Sequence, residues 1–134
     1  MRDSNLNDIA EIGYFTRSDG LKLAYRRADG LGPTIVFLPG YMSDMAGGKA
    51  SAVLEWATAN GHACLLLDYA GCGLSEGDFA DQTLSIWRDD VLAMIDALAD
   101  GPVLLIGSSM GGWLMLLVGL ALGNRLAGII GIAA

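Results

Sequence analysis

Gly107-Ser108-Ser109-Met110-Gly111 joins a short apolar run to a longer helical one, and its residue types could do nucleophilic chemistry. A serine on a sharp turn between strand and helix has its hydroxyl pushed out at the top of a sheet. Glycines two residues to either side remove side chains that would collide with the neighbouring strand and helix. Backbone N–H groups opening the helix can stabilise a developing oxyanion. Ser109, central between the two glycines, is therefore the candidate nucleophile, and Ser108 remains a candidate helix cap. Glycine and serine are common, so the pattern gains meaning only from its place after several strand–helix units.

Leu38-Pro39-Gly40-Tyr41-Met42 ends an earlier apolar run, and the same sheet edge is expected to receive it. An oxyanion hole needs a second donor from such a loop beside the one that follows the nucleophile. The backbone N–H groups of Tyr41 and Met110 are the expected pair. Two phosphate-binding look-alikes fail. Around Gly48-Lys49, a phosphate loop would need glycine at Ser43 and Ser or Thr at Ala50; after Asp68, Gly71-Cys72-Gly73 would need a third glycine at Glu76.

These residues need a framework, and the apolar periodicity supplies one. Residues 11–17 and 21–28 read as strands joined by the turn Ser18-Asp19-Gly20. Residues 34–38, 62–68, 102–106 and 128–133 read as further strands, all of them short and largely apolar. Residues 49–60 are helical, with Ala50, Val53, Leu54 and Ala57 on one stripe and Gly61 as the stop. Residues 83–99 form an amphipathic helix, with Leu84, Trp87, Val91, Met94, Ile95 and Leu98 facing inward and Arg88, Asp89, Asp90 and Asp96 on the rest. Residues 110–122 are apolar nearly all round, which predicts a buried helix. Strand and helix alternate from Thr34 onward, so right-handed crossovers and a parallel sheet are expected, with the first two strands as an antiparallel edge. Ligands of such sheets sit outside the carboxyl ends of the strands.

The composition agrees with a sheet covered on both faces. Apolar residues make up 53% of the 134, and charged residues only 17%. A formal charge of −7 with no basic run repels phosphate backbones, so no nucleic-acid partner is expected. Cys64 and Cys72 are too few for a disulfide scaffold and too far apart for a zinc knuckle; both are expected to be structural. The polar, acid-bearing start Met1-Arg2-Asp3-Ser4 resembles neither a secretory nor a transit segment, so a cytosolic, cytoplasmic setting is the expectation. The uncharged run from Gly101 to Gly123 is divided by glycines and serines, so no membrane span is expected.

Three stretches, Pro39-Gly40-Tyr41-Met42-Ser43-Asp44-Met45, Asp68-Tyr69-Ala70-Gly71-Cys72-Gly73-Leu74-Ser75 and Gly107-Ser108-Ser109-Met110-Gly111-Gly112-Trp113, stand in the order seen in α/β-hydrolases. From about Phe37 to Ala133 the chain resembles the branch of palmitoyl-protein thioesterases that also cleave acyl-glucuronide esters. Pro39, where many relatives carry histidine, fits this branch. The resemblance implies an α/β fold: a three-layer αβα sandwich on a mostly parallel sheet of about six strands. It also implies Ser109 as nucleophile with an Asp and a His as partners, ester or thioester substrates, and no cofactor. It covers the first half to two-thirds of a family domain, so residues 1–134 are expected to form one partial domain without the last strands and lid.

The family's acid and histidine follow the serine in the chain, but no Asp, Glu or His follows Ser109 here. The one histidine, His62, opens a strand and would lie ~20 Å from its carboxyl end, far beyond proton-transfer reach. It is expected to be a surface or edge residue. Asp68 belongs to the glycine loop and is expected to hold it. A serine without a base is a poor nucleophile, so the chain alone is expected to be inactive or weakly active, as a partial product of a longer hydrolase. An apolar terminal strand would leave an open edge, a route to self-association. The rival readings are a non-catalytic remnant or binding module, and a small membrane protein.

Overall fold

The computed structural model describes residues 11–41 and 43–132. Six strands form one sheet: β1 (Ile12–Thr16), β2 (Lys22–Ala28), β3 (Leu31–Leu38), β4 (His62–Leu67), β5 (Val103–Ser108) and β6 (Leu126–Ile132). Three α-helices accompany them: α1 (Gly48–Ala59), α2 (Leu84–Leu98) and α3 (Met110–Leu122). The strand order is β1-β2-β4-β3-β5-β6. β1 and β2 form the expected antiparallel edge, with β2 antiparallel to β4, while β4, β3, β5 and β6 run parallel. The fold is the α/β sandwich that the alternating pattern implied.

β3 lies between β4 and β5, so the chain crosses one way to reach β4 and the other way to reach β5. Right-handed crossovers in opposite directions put their helices on opposite faces. The core divides accordingly. Ile35, Phe37, Cys64, Leu66 and Ile106 point to α1 and meet Ala50, Leu54 and Ala57. Val36, Leu38, Leu65, Leu67 and Leu105 point the other way and meet Trp87, Val91, Met94, Ile95, Leu114 and Val118 of α2 and α3. Alternate residues of fully apolar strands thus feed two cores. Cys64 is one of them, and burial pushes its thiol up to about 12.

Several local expectations need correction. β3 starts at Leu31 rather than Thr34, because Leu31 pairs with His62 and its N–H donates to Gly61 O at 2.8 Å. β6 starts at Leu126 rather than Gly128, after a 3-10 turn at Gly123–Arg125; Ala133 lies outside the described residues. Asp90, read as part of the polar face of α2, is buried, because Arg17 Nη1 pairs with its Oδ2 at 3.0 Å. The third helix is not buried all round. Leu114, Met115 and Val118 pack inward, but Trp113, Leu116 and Leu120 are exposed, Leu120 at 83%. A helix in an outer layer meets the sheet on one side only, and an apolar sequence cannot by itself supply a second covering.

Core position should separate two leucines of equal size. Leu54→Ala, fully buried on α1, should cost about 2–5 kcal/mol in denaturant unfolding. Leu120→Ala should stay within about 0.5 kcal/mol. Equal losses would contradict the layer assignment.

Candidate active site

β3 and β5 are paired in parallel, Leu38 opposite Gly107. The two chains therefore leave the sheet side by side, one into Pro39-Gly40-Tyr41 and the other into Ser108-Ser109-Met110. Space between them exists only because side chains are missing. A Cβ on Gly111 would fall on the carbonyl oxygens of Leu38 and Pro39, and one on Gly107 would fall on the Gly111 carbonyl. A Cβ on Gly40 would sit 3.2 Å from the Ser109 Cβ and 3.8 Å from its Oγ. The loop carrying Tyr41 thus lies against Ser109 at Gly40.

Ser109 has φ +54° and ψ −118°, the positive φ that L side chains rarely adopt. No other non-glycine among the described residues has it. Such a conformation costs roughly 1–3 kcal/mol and persists where its surroundings over-determine it. Here the Ser109 N–H donates to Ile132 O at 3.0 Å, and its carbonyl accepts the Gly112 N–H at 2.9 Å. Ser109 is exposed and Ser108 buried, so the hydroxyl presented at the sheet edge is that of residue 109. Met110 opens α3 directly behind it.

The neighbouring loop is tied down from the β4–α2 connection. The Tyr69 hydroxyl donates to Pro39 O at 2.8 Å, and Gly40 O accepts the Ser43 N–H at 3.0 Å. Tyr41 is 62% exposed and meets Phe79 edge-on at 5.6 Å; Phe79 lies in a 3-10 turn, Phe79–Asp81, that sequence periodicity did not reveal. Met42 lies outside the described residues. Asp68, at the end of β4, does hold the glycine loop: its Oδ2 accepts the Leu74 N–H at 2.9 Å. Its Oδ1 also accepts the Met45 N–H at 2.7 Å, a bond to the Tyr41 loop that no local pattern encodes. A cleft of about 120 Å³ lies beside this loop, lined by Pro39, Gly40, Asp44, Lys49 and Ser108.

His62 is at the opposite end of β4 and stacks on Trp56 at 5.5 Å. It is not brought to Ser109. Cys72, half-buried, donates its N–H to Tyr69 O in the glycine loop. Among the described residues no group of His, Cys, Asp or Glu is arranged to hold a metal, and no helix is long and apolar enough to cross a membrane.

Two measurements test this geometry. Ser109→Gly should raise stability by about 1 kcal/mol by releasing the strained φ, whereas Ser109→Ala should not. Burial raises the Asp68 carboxyl above its ordinary 3.8, against the pull of its bonds from Leu74 and Met45. The folded state then holds this proton to a higher pH than the unfolded chain does. Stability from this group therefore falls as pH rises from about 3.8 to the raised value, and is level beyond it. Asp68→Asn should remove that slope from Tm against pH while lowering Tm overall. An unchanged slope would show that Asp68 is not the titrating group.

The model of the "Alpha/beta hydrolase family" matches residues 35–134. The chain is 47% identical over 122 residues to the human mitochondrial palmitoyl-protein thioesterase ABHD10, covering 91% of this chain and 40% of that protein. It superimposes on the alpha/beta hydrolase domain-containing protein 10 from mouse with TM-score 0.90 and 46% identity, covering 93% of this chain and 50% of that one. A putative hydrolase from Agrobacterium vitis S4 follows at TM-score 0.83 and 32% identity, with coverage of 91% and 51%. The chain thus spans less than half the length of the curated relatives it matches. The cytoplasmic expectation is corrected, because those relatives are named as mitochondrial. That expectation rested on the polar first residues of the sequence, and these do not decide the compartment. Both the matched model and the shared architecture place this chain in the alpha/beta hydrolase family.

Proposed function

We propose that this chain is the nucleophile-bearing part of a serine hydrolase that cleaves carboxylic ester or thioester bonds, in the manner of an acyl-protein thioesterase. The observation that carries the reading is the exposed Ser109 at φ +54°, with the Gly40 backbone against it. The thioester preference rests on the names of the relatives, ABHD10 palmitoyl-protein thioesterases.

In this reading Ser109 Oγ attacks the substrate carbonyl as a base takes its proton, and the carbonyl oxygen becomes an oxyanion. Met110 N–H is one donor to that oxygen. Tyr41 N–H is the other. It shares a trans peptide plane with Gly40 C=O, whose oxygen is bound to Ser43, so the N–H points to the opposite side. Collapse expels alcohol or thiol and leaves an acyl-serine, which water then cleaves. The base and acid come from polypeptide outside these 134 residues, because His62 lies at the wrong end of β4 and no Asp, Glu or His follows Ser109. No cofactor takes part.

The same lack of a base favours one rival, a non-catalytic remnant that keeps the sheet. A fluorophosphonate probe separates them. The polypeptide in its natural length should label at Ser109 and hydrolyse an acyl thioester, and Ser109→Ala should lose both. A wild type that neither labels nor turns over would leave only the remnant, and equal turnover by Ser109→Ala would overturn Ser109 as the nucleophile.

A further inference from the structure

We propose that Tyr69 is a positioning residue for the oxyanion loop, its hydroxyl fixing the Pro39–Gly40 peptide, one residue before the Tyr41 N–H. This rests on the serine-hydrolase reading and adds to it a residue that never meets the substrate.

Gly40 is the weak link between β3 and the Tyr41 N–H. Glycine rotates freely, and any larger residue there presses on Ser109. The orientation of the Gly40–Tyr41 peptide must therefore be set by its neighbours. On the far side, Ser43 N–H holds the Gly40 carbonyl. On the near side, Pro39 has no N–H to offer, and its carbonyl is held by the Tyr69 hydroxyl at 2.8 Å. The two bonds bracket one rotatable residue.

The phenol is suited to this task. Tyr69 is 2% exposed, and its ring stacks on Trp87 at 4.9 Å. Trp87 is anchored in turn by its Nε1 donating to Ala70 O at 3.0 Å. Burial holds the phenol well above its ordinary range, so it stays protonated and donating at any working pH. Preorganised donors act because they need not reorganise as charge develops. A loosened loop loses that advantage in the transition state while substrate binding is spared.

Tyr69→Phe removes the one oxygen and keeps the stacked ring. In the natural-length protein it should lower kcat for thioester hydrolysis by about tenfold, less than the 10²–10³ for deleting a donor outright. KM should stay within about twofold. Amide exchange should rise at Ser43, while β4 amides stay protected and show that the fold is intact. Unchanged kcat, or a loss confined to KM, overturns the role of Tyr69 and leaves the hydrolase reading standing. A wild type that neither labels nor turns over ends the hydrolase reading and, with it, the catalytic role; unchanged Ser43 exchange in Tyr69→Phe then overturns the tether as well.

Discussion

The parallel pairing of β3 with β5 is the constraint on which the rest depends. Leu38 opposite Gly107 brings two strand ends to one rung, and their outgoing loops must share the space beyond it. Close approach of backbone to backbone then dictates glycine at 107 and 111, where a single carbon would strike a carbonyl. That same crowding turns the chain sharply at Ser109 and keeps its backbone in a conformation few side chains tolerate.

The β4–α2 connection completes the arrangement without supplying a reacting group of its own. Asp68 accepts N–H bonds from its own glycine loop and from the Tyr41 loop, and the Tyr69 hydroxyl and the Phe79 ring also meet the Tyr41 loop. Burying a carboxylate costs free energy unless it is well bonded, and the two backbone donors offset only part of that cost, since burial still raises the Asp68 carboxyl above its ordinary range. The glycine-rich stretch therefore serves as a bracket for the Tyr41 loop beside it.

Much of this was legible because apolar period and turn residues report local geometry. Pure apolar runs marked the parallel strands, and glycines at 107 and 111 marked a site where no side chain fits. Asp68 was recognisable as a loop holder from its place before Gly71-Cys72-Gly73. What could not be read involved partners distant in the chain. The Arg17–Asp90 pair, the Asp68–Met45 bond and the Tyr69–Pro39 bond each join separate elements, and no period encodes them. The exposed face of α3 was missed for a related reason: apolar composition reports a preference for burial, whereas the covering depends on what lies nearby.

The place of β3 in the sheet has a kinetic corollary. Thr34 and Val103 are neighbours across a ladder though most of the chain separates them. Ordering so long a loop costs entropy before its contacts can offset it. The β1–β2 hairpin and the individual helices involve only local closures. The positive φ at Ser109 gains its bond to Ile132 only once β6 has docked beside β5. The most strained part of the molecule is thus deferred to a late stage of assembly, and a nascent chain that has not reached β5 holds no such strain.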